Sequence, residues 1–158
     1  MMLSSPGPLG SAIGNLAPAR TRTSRQRAVQ EEFIVVEAPS LDLVLKRFES
    51  PDETRLMAKG KFEIVRLGGM TIGRATYEPG WKWSEHVGPS LGASRCSVEH
   101  VGMVLSGSAT AAFENGNVVE MKPGELFYIP PVPHDSWVVG DRPYVSLHFL
   151  GADHYAKK

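Results

Sequence analysis

One cysteine, Cys96, stands in a chain of 158 residues. That scarcity excludes an intramolecular disulfide framework, and with it any zinc site built from two or four cysteines. Long apolar runs are missing as well, since no stretch approaches the ~20 residues of a membrane-spanning helix. Charge of one sign is not in excess: 17 Lys and Arg face 17 Asp and Glu. Without a basic face to release phosphate counterions, the chain is expected to bind no nucleic acid. No continuous apolar segment of a secretory signal is present near the start. The expected location is therefore cytoplasmic, with no membrane partner.

What the chain does have is the length of one ordinary domain. A domain of this size buries roughly two-thirds of its unfolded surface and needs no covalent staples. The balanced charge hides an asymmetry. Residues 1–30 contain Arg20, Arg22, Arg25 and Arg27 and no acid, and they are rich in Ser, Gly, Pro and Ala. Such a segment buries too little apolar surface to offset its ordering entropy. It is expected to be a flexible extension, leaving residues 31–158 as the folded domain.

From residue 31 onward the pattern is of short strands and turns. Residues 31–36 and 41–48 alternate or are β-branched. Residues 61–67 and 70–77 flank Gly68-Gly69 and suggest a hairpin. Residues 98–105, 109–113, 118–121, 125–129, 134–139 and 144–150 follow as further short strands. Asn115-Gly116 predicts a tight hairpin with a type I′ turn, which needs positive φ at both central residues. Only 41–49 and 52–59 are open to a helical reading. Eight or more closely spaced strands point to an all-β sandwich or barrel.

His86, His100 and His134 each fall on a strand or a strand edge. Residues i and i+2 of a strand share a face, so His100 lies on the face of Cys96, Val98, Gly102 and Val104. Imidazole is the commonest transition-metal ligand, although a single histidine in a strand is more often a surface or packed residue.

Residues 60–150 resemble the cupin superfamily. Gly80-Trp81-Lys82-Trp83-Ser84-Glu85-His86 matches the G-x5-H opening of the first cupin motif. His100 through Gly107 matches its E-x6-G close, with His100 in the place of the glutamate. Gly124 through Pro130 matches the G-x5-P of the second motif, and His134 follows one residue early. The resemblance implies a double-stranded β-helix, that is, a jelly-roll barrel with metal ligands on its inner face. Carried over residue by residue, it implies His86, His100 and His134 as ligands to one divalent transition metal: zinc, iron or nickel. Nitrogen donors suit these ions better than magnesium or calcium.

The departures from the motif are informative. Its second histidine falls on Gly88, which cannot ligate, and residues 87–99 form a longer insertion than usual. Cys96 lies four residues before His100 and is read as a small buried residue, with ligation as the alternative. Gly102, beside His100, is expected to leave room for an ion. Trp81, Trp83, Tyr128 and Trp137 are candidates for a pocket lining, and Arg74 for an anion clamp. Glu85 and Tyr128 are the nameable candidates for a general base. His148 and His154 are read as structural or exposed.

The implied activity is that of a metal-dependent enzyme, oxygenase- or isomerase-like, acting on a small molecule. A non-catalytic module that binds or senses a small ligand or a metal is the alternative, since the fold hosts both. A homodimer is expected, because the early strands would need an edge to pair with.

Overall fold

Alternation of inward apolar and outward polar side chains draws the chain into two antiparallel sheets. The computed structural model describes residues 42–158. The extension 1–30 and the strand expected at 31–36 lie outside the described residues. Strands β1 (Glu53–Met57), β2 (Gly60–Leu67) and β3 (Met70–Tyr77) form a meander. Two short helices follow, α1 (Trp83–His86) and α2 (Gly88–Leu91). Then come β4 (His100–Ser106), β5 (Ser108–Phe113), β6 (Val118–Met121), β7 (Leu126–Ile129), β8 (His134–Asp135), β9 (Val138–Val139) and β10 (Tyr144–Leu150). One sheet runs β1-β2-β3-β10-β4-β7 and the other β6-β5-β8, with β9 also paired to β5. This is the all-β, cupin-like jelly roll expected from the motifs. Among the described residues, no helix is long and apolar enough to cross a membrane.

Two local expectations are corrected. Residues 53–57 form β1 rather than a helix, because they pair in register with β2 from Glu53↔Ile64 to Met57↔Gly60. Residues 42–49 form neither helix nor strand. The type I′ geometry appears at Gly68-Gly69, with φ of 58° and 78°, and not at Asn115-Gly116. There Gly116 takes φ 85° while Asn115 does not. The Gly116 N–H donates to the Phe113 carbonyl at 3.0 Å, and the Phe113 N–H donates to the Asn117 carbonyl at 2.9 Å. The result is a three-residue loop, in which a type I turn is followed by one left-handed residue.

The inner face of the large sheet carries Phe62, Ile64, Ala75, Tyr77, Val104 and Tyr144, all buried. Burying an aromatic or branched side chain of this kind contributes roughly 1.5–3 kcal/mol. Close packing requires glycine at Gly102, where an added Cβ would collide with the Phe127 ring and the Leu147 carbonyl. The space beside His100 that was expected to admit an ion is therefore filled by Phe127.

The outer face of β2 is covered as well. Glu63 is 5% exposed and accepts from Lys61 Nζ at 2.7 Å and Arg74 Nε at 2.9 Å. Arg74 also stacks over Phe48, 4.8 Å from its ring centre, and donates to the Phe48 carbonyl. It is thus a structural cation on the outside of the sheet and not an anion clamp at a pocket mouth.

Residues 81–83 add an extended stretch that brings two aromatic side chains inward. Lys82 forms an antiparallel bridge with Trp137. Its flanks are tied by Trp83 N–H to the Ser136 carbonyl at 2.8 Å and Val138 N–H to the Trp81 carbonyl at 3.0 Å. Period-2 alternation then places Trp81 and Trp83 on one face, 1% and 4% exposed. Asp135 fixes the start of α1, accepting from Ser84 N–H at 3.0 Å and Ser84 Oγ–H at 2.9 Å.

Candidate metal centre

Backbone pairing brings the first two donors together. Cys96 and His134 form an isolated antiparallel bridge in which each N–H donates to the other's carbonyl at 2.9 Å. Directly opposed residues of such a pair project to the same face. His100 begins β4 four residues after Cys96 and faces inward with Gly102 and Val104. Its Nε2 lies 3.6 Å from Cys96 Sγ. One donor atom from each of Cys96, His100 and His134 lies within 4.8 Å of the other two, and all three residues are buried.

The donor set fits a tetrahedral ion. With zinc–sulfur near 2.3 Å and zinc–nitrogen near 2.0–2.1 Å, tetrahedral geometry separates sulfur from nitrogen by about 3.5 Å. The observed separation of 3.6 Å between Cys96 Sγ and His100 Nε2 needs almost no adjustment. His134 Nδ1 lies 2.8 Å from the Val132 carbonyl. A carbonyl only accepts, so Nδ1 carries the proton and Nε2 keeps its lone pair for a metal.

Burial sets the protonation states. His100 is pushed down to about 2, by burial first and then by His148 and His134. His134 is lowered by burial, against the opposing pull of the Val132 carbonyl and Asp135. Both rings are therefore neutral at physiological pH, as ligation requires. Burial pushes the Cys96 thiol up to about 11. A bound divalent cation reverses that balance and deprotonates a coordinating thiol outright.

Of the three histidines implied by the resemblance, the structure brings His100 and His134 together and leaves His86 outside the cluster. His86 ends α1, and its Nδ1 lies 2.9 Å from the Lys82 carbonyl one turn earlier. The physical reason is local. Motif spacing presumes an extended strand here, but Asp135 nucleates a helix at Ser84, Pro89 supports the start of α2, and Gly92 closes it at φ 65°. Coiling turns the His86 side chain back onto its own segment. Cys96, read first as a packed residue with ligation as the alternative, is the third potential donor beside His100 and His134.

His148, read as structural or exposed, is buried beside the cluster. It is 8% exposed on the inner face of β10, and its ring centre lies 5.4 Å from that of His100. Its Nε2 lies 3.0 Å from Ser146 Oγ, and burial pushes it down to about 4. The alternation Tyr144, Ser146, His148 along one strand was the signal that could have placed it.

Around these groups lies a cavity of about 40 Å³. Trp81, Trp83, Tyr77, Tyr155 and Met121 are part of its wall. Trp81 and Trp83 thus do line the pocket, whereas Tyr128 and Trp137 do not. Tyr77 and Tyr155 share a hydroxyl–hydroxyl hydrogen bond of 2.7 Å, and burial raises both phenols. The two candidates for a general base are directed elsewhere. Tyr128 is exposed and bonded to Glu99 at 2.9 Å, and Glu85 pairs with Lys82.

No family model matches the chain, and no curated protein matches it in sequence. Solved structures do share its architecture. The polyketide cyclase RemF from Streptomyces resistomycificus aligns with a TM-score of 0.50 at 14% identity, over 68% of this chain and 78% of that one. A protein of unknown function from Rhizobium leguminosarum aligns with a TM-score of 0.46 at 21% identity, over 67% and 95%. At such identities the likeness to RemF speaks to the fold alone. The chemistry of the cavity has to be argued from its own residues.

Proposed function

We propose that this chain is a metal-binding, cupin-like barrel whose ion is held by Cys96, His100 and His134 and receives a small molecule. The observation that carries this reading is the convergence of one thiol and two neutral imidazoles in a buried cavity. One thiolate with two imidazoles favours zinc among the divalent ions expected from the sequence. Three protein ligands leave a fourth tetrahedral position for water or a ligand.

A catalytic role is the second reading, and the Tyr77–Tyr155 hydroxyl pair favours it. A zinc ion acts as a Lewis acid or activates water, and a phenol on the same cavity wall supplies a proton donor. Replacing Tyr155 with Phe separates the two readings once a ligand is known, since turnover falls under the catalytic reading and only affinity changes under the binding one.

The metal assignment is tested by elemental analysis of protein purified without added metal. Wild type and His86→Ala should each hold about one equivalent of ion. Cys96→Ala, His100→Ala and His134→Ala should each lose it. Retention by those three variants, or loss from His86→Ala, would contradict the assignment.

A further inference from the structure

Resting on the metal site above, we propose that the ion's remaining position takes a small monoanion with oxygen acceptors, a carboxylate of formate size, which also accepts from the indole N–H groups of Trp81 and Trp83. Three features of the cavity lead to this ligand class.

The first is its stock of unused donors. Among the described residues, neither Trp81 Nε1 nor Trp83 Nε1 has a hydrogen-bond partner, although both are buried. A buried donor without an acceptor costs about 1–3 kcal/mol and is rare in folded proteins. Both residues line one cavity, placed there by the i, i+2 alternation of residues 81 and 83, and a ligand in that cavity is the acceptor that would satisfy both. An indole N–H donates and never accepts. The Tyr77–Tyr155 pair adds a third donor, because two O–H groups share one hydrogen bond and leave one proton to give.

The second feature is charge. A divalent ion with one thiolate and two neutral imidazoles carries a net single positive charge. Among the described residues, no carboxylate lines the cavity to balance it. An uncompensated charge in an apolar enclosure is costly. One bound monoanion brings the centre to neutrality, whereas a cationic ligand would double the imbalance.

The third is size. The cavity measures about 40 Å³, well below the roughly 150 Å³ of an apolar cavity that admits benzene. An ion with a three-heavy-atom ligand fits this space, and a sugar or an aromatic acid does not.

The test uses zinc-loaded, nitrogen-15-labelled protein titrated with formate and, separately, with the neutral analogue formamide. The chain has three tryptophans, so the indole N–H region of the spectrum is short and readily assigned. Formate should move the signals of Trp81 and Trp83 and leave that of Trp137 in place. Formamide should bind at least tenfold more weakly. Trp81→Phe and Trp83→Phe keep an aromatic ring but lose the donor, and each should weaken formate binding roughly ten- to a hundredfold at unchanged zinc content. If either variant fails to fold, the contrast between formate and formamide on the wild type still decides. Zinc-loaded protein whose Trp81 and Trp83 signals ignore formate, or respond equally to formamide, overturns this inference and leaves the metal site standing. Protein that takes up no zinc overturns both.

Discussion

Glu63 shows how one residue can hold a sheet from its outer side. Its carboxylate is nearly sealed from water, which alone would raise its proton affinity. Hydrogen bonds and ion pairs from Lys61 and Arg74 outweigh that burial and hold it below the usual glutamate range. A lowered folded-state value means the unfolded chain takes up the proton more readily. The stabilisation is therefore complete above the ordinary glutamate value of roughly 4.3 and is lost as pH falls through the folded-state value. Glu63→Gln should cost about 2 kcal/mol at pH 7, below the ~3–5 kcal/mol of a fully buried pair because Lys61 and Arg74 still reach water. The deficit should shrink as pH falls below about 4, as denaturant melts of the two proteins would show. An equal deficit at pH 3 and pH 7 would remove the ion pair from the account.

At the same scale, His100 and His134 were legible because each sits in a strand that the motif spacing also describes. His86 falls outside the cluster because spacing in sequence carries no information on whether a segment is extended or coiled. The deciding contact, Asp135 on Ser84, joins residues 51 apart in sequence. Cys96 was undecidable in one dimension for a similar reason, since its position follows from the bridge to His134.

Among the elements, the stretch from Trp81 through α1 is the most consequential. It adds two indoles to the cavity while presenting Lys82 and Glu85 outward. Its anchor is Asp135, 4% exposed, which accepts from the N–H groups of Ser84 and Ser136. Asp135→Ala leaves those donors unpaired and should cost roughly 1–3 kcal/mol. Zinc content should survive, because His134 is oriented independently by the Val132 carbonyl. Calorimetry beside elemental analysis would check both halves. A variant of native stability, or one that has lost its metal, would contradict this division of labour. The strands themselves were largely readable from alternation, including Val118–Met121 and Tyr144–Leu150 with their observed bounds. The loop at Asn115-Gly116 was located correctly, but its geometry depended on the residue added before strand pairing resumes at Phe113 and Asn117.

On the scale of the whole molecule, β6 and β7 end their respective sheets among the described residues, and between them lies an apolar face. Leu126 and Tyr128 are 74% and 60% exposed, and Val119 lines the same groove. Large apolar side chains on free edges are a liability unless something covers them. We propose a second copy of this chain as the cover, in keeping with the homodimer expected from the sequence but by a different surface. Sedimentation at micromolar concentration should give a dimer for the wild type and a monomer for Leu126→Lys. A monomeric wild type would refute the proposal.

Cys96, His100 and His134 should bind the metal through one sulfur and two imidazole nitrogens. X-ray absorption at the zinc edge of the loaded protein reads that set directly. The expected shell is one sulfur neighbour near 2.3 Å and two imidazole nitrogens near 2.0–2.1 Å, completed by a light-atom ligand. A zinc environment of nitrogen and oxygen alone, without sulfur, would contradict it.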